Sequence, residues 1–97
     1  MGEVNREDVI EILRSENPRA SLGQVVMYAD AWLAYREAAR NIATHGVIVA
    51  HPRTGAPMAN PYGPVQAAAQ RRMAAVAGLP RTDALWARLS EPSDPPA

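Results

Sequence analysis

Five arginines and no acidic residue lie between Ala38 and Thr82: Arg40, Arg53, Arg71, Arg72 and Arg81. A guanidinium group pairs with phosphate or carboxylate through two parallel hydrogen bonds, so the chemistry open to this stretch is anion binding. The formal net charge of zero conceals it. Residues 1–37 carry −3, residues 38–82 carry +5 and residues 83–97 carry −2. Charge segregated in this way gives a polarised surface, suited to a polyanion or to another subunit. The competing reading is that the arginines only solvate helix faces. The chain has no lysine. Codon bias accounts for that composition but not for the segregation.

The residues needed for catalysis are missing at useful spacings. His45 and His51 are the only histidines, and no carboxylate lies between Glu37 and Asp83. His45 reads as a helix C-terminal residue favoured by the dipole, and His51 as the flank of a turn. There is no cysteine, which excludes disulfides, thiolate chemistry and cysteine zinc sites. Neither a glycine-rich phosphate loop nor a nucleophile elbow is present. The expectation is a protein with no catalytic residues, no metal and no cofactor.

The elements that must carry the arginines follow from caps and periodicity. Asn5 and Asp8 form a capping-box analogue ahead of Val9, Ile12 and Leu13, predicting a helix from Arg6 to about Ser15 that Asn17-Pro18 ends. Ser21 and Gln24 form a second capping box. The stripe Val25, Tyr28, Ala29, Trp32, Leu33, Tyr35, Ala39, Ile42 then predicts one long helix as far as His45, with Gly46 closing it. Val47-Ile48-Val49-Ala50 is a strand candidate, Pro52-Arg53-Thr54-Gly55 a turn, and residues 56–59 a return arm weakened by Pro57. Asn60-Pro61 opens another helix, expected to run to Ala77 and close at Gly78 with Val65, Ala68, Ala69, Met73 and Val76 on its apolar face. Thr82 and Asp83 cap a last helix, Ala84 to Leu89, carrying Leu85, Trp86 and Leu89.

The predicted fold class is therefore mainly α: a helical hairpin with one long central helix, a short β-like hairpin finger and C-terminal helices. Residues 1–90 form one small domain. The first five residues read as frayed and the Pro-rich segment 91–97 as a disordered tail. So long a helix with large aromatics is expected to need a second copy to cover it, which makes Tyr28, Trp32, Leu33 and Ile48 candidate oligomer-interface residues. No signal peptide or apolar run near 20 residues is present, so the expected location is the cytoplasm, without membrane contact.

The order of these features resembles one family. A long helix with Tyr28, Trp32 and Tyr35-Arg36-Glu37-Ala38 leads to Gly46-Val47-Ile48-Val49, a turn, Asn60-Pro61, an alanine-rich helix with Met73, and Gly78-Leu79-Pro80 before a closing helix. Over residues 25 to 89 this is similar to the small subunit of tailed-phage terminases, of the variety marked by an Asn-Pro helix start and a Gly-Leu-Thr-Pro motif. Here that motif reads Gly78-Leu79-Pro80-Arg81. The resemblance implies a non-catalytic ring oligomer in the host cytoplasm that recognises double-stranded viral DNA and delivers it to the large terminase subunit. On that reading Arg53, Arg71, Arg72 and Arg81 are the candidate DNA-binding residues, contacting phosphate. They could instead pair with Glu7, Asp8 and Glu11 of the same or a neighbouring subunit. A small helical transcriptional regulator or antitoxin, and a purely structural oligomerisation module, are the alternative functions.

Overall fold

The computed structural model describes residues 5–90; the tail expected over 91–97 lies outside the described residues, as do residues 1–4 and the side chains of Leu89 and Ser90. The elements run α1 (Arg6–Glu16), α2 (Leu22–His45), β1 (Ile48–Ala50), β2 (Pro57–Ala59), α3 (Tyr62–Ala75) and α4 (Asp83–Ser90). The fold is mainly α with one small antiparallel hairpin, as expected from the sequence.

Both N-terminal helices start on reciprocal capping boxes. Asp8 N donates to Asn5 Oδ1 at 2.8 Å and Gln24 N donates to Ser21 Oγ at 3.1 Å, while Ser21 N returns a bond to Gln24 Oε1 at 2.9 Å. Each cap satisfies donors that a helix start leaves open, an effect of about 1 kcal/mol apiece. Pro18 forces Asn17 out of the helical region (φ −132°, ψ 66°), and α1 stops there. Gly46 closes α2 at φ 89°, ψ 173°, a positive-φ conformation open almost only to glycine but extended rather than left-handed helical.

The core is one cluster on the inner faces of the helices. Val9 and Leu13 of α1, Val25, Tyr28, Ala29 and Trp32 of α2, Met73 of α3 and Leu85 of α4 meet in it. Trp32 is wholly buried. Trp86 lies edge-on to it at 6.3 Å between ring centroids and edge-on to Tyr35 at 5.4 Å. The Trp86 Nε1–H donates to Tyr28 Oη at 2.9 Å, tying α4 to α2. Arg36, itself buried, sets its guanidinium 5.7 Å from the Trp32 ring centroid, within cation–π range.

That arrangement corrects one expectation. Tyr28 and Trp32 were read as surface for a second copy because a long helix seemed too large for the chain to cover. Within the chain both are buried in the shared cluster, with Trp86 of α4 against each, and neither leaves appreciable area for a neighbour. Leu33 is half-buried against the same cluster. Two smaller corrections concern α3. It ends at Ala75 rather than Ala77, with Val76 already extended, and Val65 is exposed rather than packed.

The hairpin is more regular than Pro57 suggested. Ile48 pairs with Ala59, Val49 with Met58 and Ala50 with Pro57. Asn60 N donates to Val47 O and His51 N to Ala56 O, both at 2.8 Å. In an antiparallel ladder the facing bonds alternate, so Pro57 occupies a position whose backbone points outward. Its missing N–H therefore costs the hairpin nothing.

Candidate nucleic-acid interface

Two asparagines fix the segments that carry the arginines. Asn60 is buried at the meeting point of α2, the hairpin and α3. Its Oδ1 accepts from Tyr62 N at 2.9 Å, capping α3, while its Nδ2 donates to Gly46 O at 2.8 Å and to Asn41 Oδ1 at 2.9 Å. Sequence reasoning identified the cap; the other two bonds pin the hairpin base to the C-terminal end of α2. Pro61 follows with αR geometry, one residue before the helix proper.

At the opposite end, Asn17 holds the segment after α3. Its Oδ1 accepts from Arg81 N at 3.0 Å, and its Nδ2 donates to Arg81 O at 2.7 Å and to Leu13 O at 3.0 Å. Nearby, Gly78 (φ 81°) lies so close to Gln24 that a Cβ would fall 2.7 Å from Gln24 Nε2. Thus α3 starts beside the C-terminal end of α2 and finishes beside its N-terminal end. Helix α2 has 24 residues, a rod of about 36 Å.

This frame decides where the predicted site residues go. Arg53 is exposed on the hairpin tip, at the C-terminal end of α2. The tip is shaped by His51: its Nδ1 accepts from Arg53 N at 3.1 Å and Thr54 N at 3.3 Å, and its carbonyl accepts from Gly55 N at 2.8 Å. Arg71 and Arg72 are exposed on α3, and Arg81 is exposed beside Asn17. Arg72 borders a groove of about 390 Å³ whose other walls include Met27, Asp30, Ala31 and Ala34, in the N-terminal half of α2. Arg71, Arg72 and Arg81 therefore belong to one half of the molecule and Arg53 to the other.

Among the described residues none of these four guanidinium groups is held in an ion pair. The alternative expected from sequence, pairing with Glu7, Asp8 or Glu11 of the same chain, does not occur within it. Asp30 is the one carboxylate beside Arg72 in the groove, and it is engaged elsewhere. Arg6 Nε meets Asp30 Oδ1 at 2.7 Å and Arg6 Nη2 meets Oδ2 at 3.4 Å. That hydrogen bond, with the carboxylate charge, raises the Arg6 pKa further. Arg72 keeps its charge for solvent or a ligand.

Of the interface residues expected from sequence, Ile48 is exposed at 57%, Leu33 is half-buried, and Tyr28 and Trp32 are buried. Among the described residues, Val47, Met27, Leu22 and Val65 are the other large apolar side chains left open. Ile48 and Ala50 share their outward hairpin face with Ala59 and Pro57. No helix among the described residues is long and apolar enough to cross a membrane.

No curated protein and no solved structure matches the chain. A family model described as phage terminase, small subunit, matches residues 5–79, which takes in α1, α2, the hairpin, α3 and the first two residues of Gly78-Leu79-Pro80-Arg81. With well over half of its 97 residues matched, the chain belongs to the phage terminase small-subunit family.

Proposed function

We propose that this chain is the DNA-recognition and assembly factor of a phage packaging motor, without catalytic activity of its own. It assembles as a homo-oligomer, a ring, binds double-stranded viral DNA and delivers it to the large terminase subunit in the host cytoplasm. The observation that carries this reading is the set of four exposed arginines, Arg53, Arg71, Arg72 and Arg81, held in no ion pair among the described residues, on a member of this family. Contacts from such residues to phosphate hold a duplex without reading its sequence. The two groups lie toward opposite ends of α2. A helical turn of duplex spans about 34 Å, close to the length of that helix, so one DNA segment can meet both ends.

Assembly on this reading uses the exposed apolar residues, with Ile48 and Val47 on the hairpin as its centre and Leu33 at its margin. Large apolar side chains left open on a small chain favour burial against another copy. The experiment is duplex binding measured across salt concentrations, with the mass of the assembly measured in parallel. Affinity that falls steeply with salt, together with co-purification of the large subunit, supports the reading. A protein that stays monomeric and has no affinity for duplex DNA at low salt rejects it.

A further inference from the structure

Arg19 lies in the acidic first third of the sequence, where charge alone gives no reason to single it out. The fold brings it to Arg81. Asn17, two residues before Arg19, binds both the N–H and the C=O of Arg81. The two arginines line one recess of about 370 Å³ between the α1–α2 turn and the Gly78–Arg81 segment, with Asn17, Pro18, Ala20 and Pro80 in its walls. Both are exposed, and among the described residues neither guanidinium is held in an ion pair. Glu16 lines the same recess and is also exposed, so the local balance is two positive charges against one negative.

We infer that Arg19 and Arg81 together form a contact site for the phosphate backbone of duplex DNA. The inference rests on the DNA-binding reading above and adds a residue that reading does not contain. Three features carry it. The main chain of Arg81 is fixed on both sides of its Cα, so its side chain starts from a defined point. Arg19 starts from the same turn that supplies the fixing group. Two unpaired cations facing one open recess repel each other unless an anion lies between them. A backbone phosphate presents oxygens to both, and guanidinium groups match its geometry. The site lies at the same end of α2 as the close of α3, the half of the molecule that also carries Arg71 and Arg72. The Glu16 carboxylate opposes phosphate there, and its removal strengthens the site.

The test is fluorescence anisotropy of a labelled duplex with wild type, Arg19→Ala, Arg81→Ala, Glu16→Gln and Arg71→Ala/Arg72→Ala, each titrated across salt. The Asn17 bonds use only the Arg81 main chain, so Arg81→Ala leaves them intact; thermal melts and assembly mass verify that each variant is folded. Arg19→Ala and Arg81→Ala should each weaken binding roughly five-fold near 0.1 M salt and flatten the log–log salt slope by about 0.9 per lost contact. Glu16→Gln should tighten binding. If both alanine variants keep the wild-type slope while Arg71→Ala/Arg72→Ala loses it, this site is wrong and the DNA-binding reading stands. If wild type itself shows no salt-dependent affinity, the DNA-binding reading fails and this inference falls with it.

Discussion

Asn17 grips Arg81 by its main chain: 64 residues apart in sequence, the two share a donated bond of 2.7 Å and an accepted bond of 3.0 Å. The asparagine is buried and its third bond, to Leu13 O, closes α1. One side chain thus ends the first helix and anchors the segment leading into the last. Asn17→Ala leaves backbone groups at Arg81 without partners in a part-buried place, which costs about 1–3 kcal/mol. Urea unfolding should show that loss, whereas Arg81→Ala should stay within about 0.5 kcal/mol of wild type, as exposed substitutions do.

Trp32 fills the centre of the core from within its own chain. Trp32→Ala is expected to cost about 3–5 kcal/mol, as truncation of a buried tryptophan does. The loss should be the same at protein concentrations differing ten-fold, since no second copy supplies the contacts. A loss confined to dilute protein would place the indole at a subunit boundary instead.

Gly78 combines a positive φ with an approach to Gln24 so close that a Cβ there would push the glutamine amide aside. Gly78→Ala should therefore destabilise by about 1 kcal/mol or more, from backbone strain and from displacement of a capping-box side chain. A double-mutant cycle separates the two causes. In a Gln24→Ala background the steric part disappears, and the cost of Gly78→Ala should fall by an amount thermal or chemical unfolding can resolve.

The local features were legible in the sequence because their causes are local. Asn5 with Asp8, Ser21 with Gln24, the stop at Pro18 and the positive-φ Gly46 each depend on neighbours within four residues. Asn60 was half legible: its cap of α3 is local, but its bonds to Asn41 and Gly46 cross from one element to another. Trp32 was misassigned because Trp86, which packs edge-on against it, comes 54 residues later in the chain. Pro57 looked like a flaw until the register showed which way its backbone points. Arg19 was invisible as a partner of Arg81 for the same reason, since no periodicity links a turn to a segment so far along the chain. The family was legible in the order of its motifs, which needs no tertiary information.

Ile48 lies on the open face of the hairpin, so a charge there should not disturb the core. Ile48→Asp is expected to leave the unfolding free energy of the dissociated chain within about 0.5 kcal/mol of wild type. The same change should lower the mass of the assembly measured by light scattering or native mass spectrometry. An unchanged mass would put the hairpin outside the subunit contact.

Contact between the exposed arginines and DNA phosphate must show in the salt dependence of duplex binding by Arg71→Ala/Arg72→Ala. Binding should weaken for every duplex sequence alike, with a log–log slope flatter by about two units and an unchanged assembly mass. Loss of assembly with affinity per oligomer intact would contradict it, and would make Arg71 and Arg72 contacts between subunits.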